Sequence, residues 1–214
     1  MRHLAEETAL EIELNSLTFH LVSSGESLQG ARLLFGGSFN PPHIGHEALL
    51  GNMVEGFPDA TLTLIPVYNH AFGKHLVPFD LRLRWCKLLA QSMSSQIEVS
   101  DIESRLDGSS LSTVKYFAEL EPDRRLVWVI GSDLLPTLAS WRGAAQLSQL
   151  VEFCVFQRRG ASVDENLITR LVSLPEISST ELRGELADGR IPQGKLPKAL
   201  VQDFLKDNPY LDQE

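Results

Sequence analysis

The chain has 214 residues and a net charge of −9, and 43% of its residues are hydrophobic and 22% charged. This length and composition are typical of one globular α/β domain. The acidic balance excludes a general nucleic-acid binder, which presents a basic face. The apolar stretches are far shorter than the roughly 18 residues of a membrane span, and the N-terminus lacks the apolar core of a signal peptide. We therefore expect a cytoplasmic protein with no membrane or nucleic-acid partner.

The first 30 residues differ from the rest of the chain. Residues 10–22 alternate apolar and polar side chains, which is typical of a β-strand, and SSGESLQG then has the composition of a linker. We expect an N-terminal extension over residues 1–30 that forms a hairpin or an edge strand. The main domain is expected over residues 31–214, including the C-terminal helices.

From residue 32 onward, short apolar runs alternate with helical patterns. The predicted strands cover residues 32–36, 60–67, 97–103, 125–131 and 152–158. The predicted helices cover residues 47–54, 79–93, 113–120 and 144–150, with another short helix after Asp133. Apolar strands that alternate with helices indicate a parallel sheet buried on both faces. The expected fold class is α/β, a doubly wound parallel sheet whose ligands bind beyond the carboxyl ends of the strands.

The stretch FGGSFNPPHIGHEALL, residues 35–50, lies where the first of these strands gives way to a helix. Gly36 and Gly37 allow a tight turn and let a ligand approach the backbone without a Cβ atom in the way. Two prolines then stiffen the corner that leads into the helix, Pro41 and Pro42. A bare backbone beside a rigid helix entrance is one part of a phosphate site.

Two histidines form the other part. His43 and His46 lie at i and i+3, so their imidazoles project from the same face of the first helical turn. The N–H groups of that turn and the helix dipole favour an anion there. Gly45 costs about 1 kcal/mol relative to alanine in a helix, which makes sense if something passes close to it. Two alternatives stay open: zinc ligands, which need a third and usually a fourth partner, and ordinary surface histidines.

A second motif, ISSTELR, occupies residues 177–183. Together with GGSFNPPHIGH, it resembles the two signatures of the nicotinate/nicotinamide mononucleotide adenylyltransferases, members of the HxGH nucleotidyltransferase superfamily. The segments VSDIE, GSDLLPTLASW and EFCVFQRRG between them resemble that family in order and spacing. The resemblance covers residues 31–207 and implies a Rossmann-like nucleotidyltransferase fold.

The resemblance also implies roles for individual residues. Those that would act on the phosphates during catalysis are His43, His46, Arg183 and Lys74. The ATP site would be formed by Gly36, Gly37, His43, Gly45, His46, Gly131, Asp133, Ser178, Ser179 and Arg183. The mononucleotide site would be formed by Ser38, Phe39, Asn40, Thr113 and Trp141. Mg²⁺ would accompany ATP, and we expect no metal ligands from the protein itself.

Several of these residues also have a structural explanation. Ser178 and Glu181 satisfy a capping box, and Asp133 could equally cap the helix that follows it. Trp141 is a core residue on base rates, although an aromatic face can also stack on a pyridine ring. Arg82 is expected to support the helix that it begins, outside the site.

The implied reaction is adenylyl transfer from ATP to nicotinate mononucleotide, which gives nicotinate adenine dinucleotide and pyrophosphate. The alternatives are nicotinamide mononucleotide or another phosphomonoester as the acceptor and, in a different class, a non-catalytic dinucleotide-binding sensor. Asn40 replaces the family's frequent aspartate and Ser112–Thr113 replaces its usual Tyr–Thr pair, so the preferred pyridine substrate stays open. The expected partners are small molecules, and the oligomeric state is open, with a homodimer as one option.

Overall fold

A seven-stranded sheet organises the chain. The computed structural model describes residues 10–69, 76–157, 163–170, 174–175 and 177–211. The strands are β1 Leu10–Leu14, β2 Leu17–Leu21, β3 Arg32–Gly37, β4 Thr61–Pro66, β5 Ile97–Val99, β6 Leu126–Gly131 and β7 Glu152–Phe156. Their order is β1-β2-β7-β6-β3-β4-β5, and all neighbours pair in parallel except β1 and β2.

Helices connect the parallel strands and also follow the last of them. They are α1 Ile44–Gly56, α2 Phe79–Met93, α3 Ser110–Leu120, α4 Ala144–Leu150, α5 Ser179–Ala187 and α6 Lys198–Lys206, with 3₁₀ turns at Ile102–Arg105, Leu135–Ser140 and Glu165–Leu167. The chain builds β3, β4 and β5 in one direction and then returns to place β6 and β7 on the other side of β3. The predicted α/β class with a doubly wound sheet is therefore confirmed. Within the described ranges, none of the helices has the length and hydrophobicity to cross a membrane.

The N-terminal segment extends the sheet. β1 and β2 form an antiparallel hairpin, and its two-residue turn places Asn15 and Ser16 in the left-handed region, as tight hairpin turns require. β2 then pairs in parallel with β7 at Leu21 and Phe153, and the Val22 N–H donates to the Phe153 carbonyl at 2.9 Å. The hairpin thus forms one edge of the sheet, whereas the division of the chain at residue 30 stays a prediction.

One strand is shorter than predicted. The sequence favoured a strand over residues 97–103, but β5 ends at Val99 and a 3₁₀ turn begins at Ile102. The Ser100 hydroxyl accepts the Ile102 N–H at 3.3 Å, a local bond that competes with a strand ladder. The turn buries Ile102 against the sheet, so the apolar residue that suggested a longer strand is part of the core all the same.

Three apolar clusters hold the layers together. Successive strand residues point to opposite faces, so Leu33 belongs to the cluster on one face and Leu34 to the cluster on the other. The third cluster lies where α2, α5 and α6 meet, around Trp85, Phe204 and Tyr210. It packs the C-terminal helices against the part of the fold that carries the predicted site.

Candidate active site

The loop after β3 lies where the strand order reverses. β3 pairs with β4 on one side and β6 on the other, and such a position is where α/β sheets bind ligands. A methyl group at Gly36 would lie 3.0 Å from the Trp128 ring, and one at Gly37 would lie 3.1 Å from the Phe39 ring. The space beside each glycine, where a Cβ atom would project, is therefore occupied by an aromatic ring of the protein. The sequence pattern did not predict these rings.

The two histidines lie side by side at the start of α1. His43 is the N-cap residue, and its ring centroid lies 3.8 Å from that of His46, with 31° between the planes. The buried Phe39 ring packs against His46 at 5.0 Å and against Phe35 at 5.5 Å. Phe39 thus supports His46 from below and fixes where the imidazole points.

A backbone hydrogen bond determines which nitrogen of His46 carries a proton. The His43 N–H donates to His46 Nδ1 at 3.1 Å, so Nδ1 acts as an acceptor. In a neutral imidazole the proton then resides on Nε2, which becomes a donor. The first turn of α1 therefore holds a hydrogen-bond donor of defined tautomer.

The tight turn also explains Gly45. A Cβ atom at this position would lie 2.9 Å from His43 Nδ1 and 3.6 Å from the Pro175 carbonyl. Gly45 thus makes room for the His43 ring, a neighbour within the same motif. The sequence pattern predicted that something passes close to Gly45, and in this structure the His43 ring does so. A contact between Gly45 and ATP stays a prediction.

Some N–H groups of α1 that we expected to face an anion already have acceptors in the protein. The Ile44 N–H donates to the Lys195 carbonyl at 3.0 Å, and the His46 N–H donates to the His43 carbonyl at 2.8 Å. The helix start is thereby tied to the segment before α6. An anion at this helix would rely on the imidazoles more than the sequence suggested.

The second motif meets the first. The Ser178 hydroxyl accepts the Glu181 N–H at 3.1 Å and caps α5, as predicted. The Ser179 hydroxyl donates to the Pro41 carbonyl at 3.3 Å, and Arg183 Nη1 donates to the Asn40 carbonyl at 3.0 Å. Two segments that are about 140 residues apart in the sequence therefore form one surface, with hydroxyls and a guanidinium beside the histidine loop.

Arg82 contacts this loop, although the sequence pattern predicted it to lie outside the site. It is only 1% exposed, and it donates to the carbonyls of Ser38 at 2.9 Å, Val67 at 2.7 Å, Val77 at 3.0 Å and Tyr68 at 3.2 Å. Burial lowers the pKa of this guanidinium. A single side chain thus joins the ends of β3 and β4 to the start of α2.

Three of the residues predicted to contact a mononucleotide have buried side chains, namely Phe39, Asn40 and Thr113. The Phe39 ring is packed as described, and the Thr113 hydroxyl donates to the buried carboxyl group of Glu103. Burial raises the pKa of Glu103, and the bond from Thr113 partly opposes this increase. The Phe39 ring and the Thr113 hydroxyl are therefore already engaged by contacts within the protein.

The replacement at residues 112–113 has a local role in α3. The Ser112 hydroxyl donates to Asp107 at 2.6 Å and the Ser109 hydroxyl donates to it at 2.7 Å, and these bonds lower the pKa of Asp107 to about 2. Arg142 pairs with the other carboxylate oxygen at 3.0 Å. Arg142 directly follows Trp141, a half-buried residue whose indole N–H donates to the Thr137 hydroxyl.

The remaining predicted residues lie at the end of β6 or outside the described residues. Gly131 ends β6, and Asp133 is exposed. Leu134 occupies the N-cap of the following 3₁₀ turn, so Asp133 does not cap it. Lys74 lies outside the described residues. Within the described ranges, no three His, Cys, Asp or Glu side chains are grouped so that they could hold a metal ion.

Comparison with known proteins identifies the family. The cytidylyltransferase-like family model matches residues 34–185. A probable nicotinate-nucleotide adenylyltransferase of Anaeromyxobacter dehalogenans is 32% identical over 176 residues, which cover 79% of this chain and 90% of the relative. One of Myxococcus xanthus is 34% identical over 171 residues, covering 78% and 88%. The chain belongs to the nicotinate-nucleotide adenylyltransferase family. As a member of this family, it is a nucleotidyltransferase.

Solved structures support the same fold. The nicotinic acid mononucleotide adenylyltransferase of Plasmodium falciparum, complexed with NaAD, superposes with a TM-score of 0.72 at 21% identity, covering 85% of this chain and 98% of that one. Its complex with APC gives a TM-score of 0.69 at 20% identity, with the same coverage. The family match begins at residue 34, so the hairpin β1–β2 lies outside it.

Proposed function

We propose that this member of the nicotinate-nucleotide adenylyltransferase family transfers the adenylyl group of ATP to nicotinate mononucleotide. The products are nicotinate adenine dinucleotide and pyrophosphate. The observation that carries the proposal is the direct contact between the histidine loop and the second motif, through Arg183 and the Asn40 carbonyl. The names of the relatives, and the Plasmodium falciparum enzyme complexed with NaAD, support the same substrate class.

The reaction requires no nucleophile from the protein. A phosphate oxygen of the mononucleotide attacks the α-phosphorus of ATP and forms the new P–O bond. The bond between the α-phosphorus and the bridging oxygen breaks, and pyrophosphate leaves with that electron pair. Catalysis then depends on positioning and on stabilising the charge that develops on the phosphate oxygens.

The side chains at the start of α1 and α5 suit this task. His46 offers an Nε2–H donor because its Nδ1 is occupied by a backbone N–H, and His43 lies against it. We assign both imidazoles to the α- and β-phosphates of ATP. Arg183, with Ser178 and Ser179, would neutralise the departing pyrophosphate through charge-assisted hydrogen bonds, and we assign Lys74 to the same phosphates.

The donor set also fits Mg²⁺ that is carried by ATP. The groups beside the histidine loop are imidazoles, hydroxyls and a guanidinium, whereas Mg²⁺ prefers oxygen ligands and retains several waters. We therefore assign its ligands to phosphate oxygens and water, with no direct bond to the protein. When bound, Mg²⁺ supplies positive charge to the triphosphate.

The substrate bases would be held by residues near the end of β6. We assign Gly131 and Asp133 to the adenosine and the Trp141 indole to stacking on the pyridine ring, with Ser38, Phe39, Asn40 and Thr113 beside the mononucleotide. Arg142 directly follows Trp141, but it pairs with Asp107 at 3.0 Å. The preference for nicotinate therefore rests on the names of the relatives.

The decisive experiment supplies ATP and Mg²⁺ with either mononucleotide and measures pyrophosphate and dinucleotide. We expect both products from nicotinate mononucleotide, and a higher kcat/KM than with the amide. A reversed ratio would make nicotinamide mononucleotide the substrate. Dinucleotide binding without pyrophosphate release would identify a non-catalytic sensor. The cytoplasmic location stays a prediction, and the oligomeric state stays open.

A further inference from the structure

A buried hydrogen bond joins the C-terminal segment to the histidine loop. The Tyr210 hydroxyl donates to Asn40 Oδ1 at 2.8 Å, and both residues are 2% exposed. Asn40 is one residue before Pro41 and three before His43. A residue near the end of the chain therefore contacts the loop that leads into the predicted phosphate site.

Asn40 Oδ1 also accepts a second hydrogen bond. The Val77 N–H donates to it at 3.2 Å, while the Val77 carbonyl accepts from Arg82 Nε at 3.0 Å. Arg82 in turn donates to the Ser38 carbonyl. The side chains of Asn40 and Arg82 thus bind the N–H and the carbonyl of Val77, and Tyr210 completes the network.

The position of Tyr210 is itself fixed by packing. Its ring is nearly parallel to that of Phe204, at 8° and 6.2 Å, and Phe204 stacks on Trp85 at 4.7 Å. The Trp85 indole N–H donates to Asp203 at 2.7 Å, and Asn208 Nδ2 donates to the Leu186 carbonyl at 2.7 Å. The hydroxyl is therefore presented by a rigid aromatic stack between α2 and α6.

Two arginines that bind the histidine loop also lie near the Tyr210 hydroxyl. Burial raises the pKa of this phenol, while the nearby guanidinium groups of Arg183 and Arg82 oppose the increase. The hydroxyl stays protonated at neutral pH and remains a donor. Arg183 also binds the Asn40 carbonyl, so the side chain and the backbone of one residue are held by two different C-terminal groups.

We propose that Tyr210 is a positioning residue for the active site, and this rests on the proposed adenylyl transfer. Its hydroxyl fixes the Asn40 side chain and thereby the Asn40 carbonyl that Arg183 binds. The imidazoles and the guanidinium then keep a constant spacing around the phosphates. The role is one of geometry: Tyr210 is buried below the loop and acts through Asn40.

The first test is Tyr210→Phe, which removes the hydroxyl and keeps the ring stack. We expect kcat to fall about tenfold or more, because small displacements of positioning groups are costly, while KM for ATP changes by less than about threefold. Tyr116→Phe is the matched control, since it makes the same chemical change on α3 and is expected to leave both constants unchanged. Unchanged kcat in Tyr210→Phe, or an equal loss in both variants, would overturn the proposal.

A second measurement does not depend on turnover. Amide hydrogen exchange of the free protein is expected to accelerate in Tyr210→Phe for peptides that cover residues 38–44 and 76–79, and to stay as in wild type for α3 and α4. Failure of the proposed function would appear as wild-type protein that releases no pyrophosphate. Unchanged exchange in the loop would instead contradict the positioning role itself.

A double variant completes the test. Asn40→Ala removes the acceptor of the Tyr210 hydroxyl, so adding Tyr210→Phe to it is expected to cause little further loss of kcat. Asn40→Asp keeps an acceptor oxygen and is expected to retain most of the activity that Asn40→Ala loses. If the effects of Asn40→Ala and Tyr210→Phe multiply independently, Tyr210 does not act through Asn40. This cycle also decides the question if Tyr210→Phe lowers stability.

Discussion

Two buried arginines, at opposite ends of the parallel strands, are held in different ways. Arg32, at the start of β3, donates to Glu121 and Glu98 at 2.6 Å each. Burial opposes its charge, but the two carboxylates outweigh this effect and raise its pKa. Arg82, beneath the loop after β3, donates to backbone carbonyls in each of its hydrogen bonds to described residues, and burial lowers its pKa.

Three further arginines show the same contrast. At the amino end of the sheet, Arg124 pairs with Glu121 and Arg125 pairs with Glu26 and Glu152. At the carboxyl end, Arg183 donates to the Asn40 carbonyl and a hydroxyl. At the amino ends of the strands, protein carboxylates thus neutralise the positive charge. At the carboxyl ends, Arg82 and Arg183 donate hydrogen bonds to neutral groups.

The contrast shows how a protein with a net charge of −9 can attract an anion. Ion pairs at the amino end stabilise the sheet and leave little field for a ligand. Guanidinium groups bonded to neutral acceptors keep their charge effective, and a partly buried site strengthens it. The four predictions below test this division, from the largest expected effect to the smallest.

His46→Ala would test the predicted site at the carboxyl ends of the strands most directly. It removes the Nε2–H donor, and we expect kcat to fall about 10²–10³-fold, as when one preorganised donor is lost. Pyrophosphate release measures the effect, and the melting temperature checks the fold. His20→Ala is the control. His20 lies on β2, which is separated from β3 and the histidine loop by two other strands, and it pairs with Glu11. A His46→Ala enzyme within threefold of wild type would exclude His46 from the mechanism.

Arg82→Lys tests whether the carbonyl-bound guanidinium organises the loops. A lysine cannot reproduce its fork of donors, so buried carbonyls lose partners and we expect the free energy of unfolding to fall by about 2–3 kcal/mol. We expect kcat to fall roughly tenfold, since Ser38 and Val77 would shift. Urea unfolding and turnover measure the two effects. Arg84→Lys, on the exposed side of the same helix, should change stability by less than about 1 kcal/mol.

Glu121→Gln tests the ion pairs at the amino ends of the strands. It weakens a charge-assisted pair with Arg32, whose side chain is 8% exposed, so we expect a loss of about 1–2 kcal/mol in the free energy of unfolding. Activity should stay within twofold of wild type, because these ion pairs are remote from the histidine loop. Glu119→Gln, an exposed change on the same helix, is the control. A large loss of kcat in Glu121→Gln would contradict the proposed difference between the two ends of the strands.

Acid should remove the same contribution gradually. The hydrogen bond from Arg32 lowers the pKa of Glu121 to about 2, from the ordinary 4.5, so the native state binds its proton more weakly than the unfolded state does. Its stabilisation is present in full above about pH 4.5 and is lost as the pH falls through about 2. We expect the difference in urea midpoint between wild type and Glu121→Gln to be constant from pH 7 to 4.5 and then to narrow. A difference that widens in acid would contradict the assignment.

Much of the fold could be predicted because its signals are local. Apolar runs separated by helical patterns placed β3, β4, β6 and β7 to within a few residues, and the predicted bounds of α2 and α4 agree with the structure. The strand at β5 was predicted too long, because the bond between Ser100 and Ile102 cannot be seen in an apolar pattern. Arg82 and Tyr210 could not be placed in the site, since their partners lie 5 to 170 residues away.

The sequence by itself determined the family motifs and the pairing of His43 with His46, because residues three apart on a helix start are neighbours in any fold. Only the tertiary structure decided that Arg183 reaches the Asn40 carbonyl, that Gly45 makes room for His43, and that some of the N–H groups of α1 are already occupied. Local spacing fixes what one turn of backbone brings together. Contacts between distant segments depend on how the sheet and the C-terminal helices pack, and that packing has no short-range pattern in the chain.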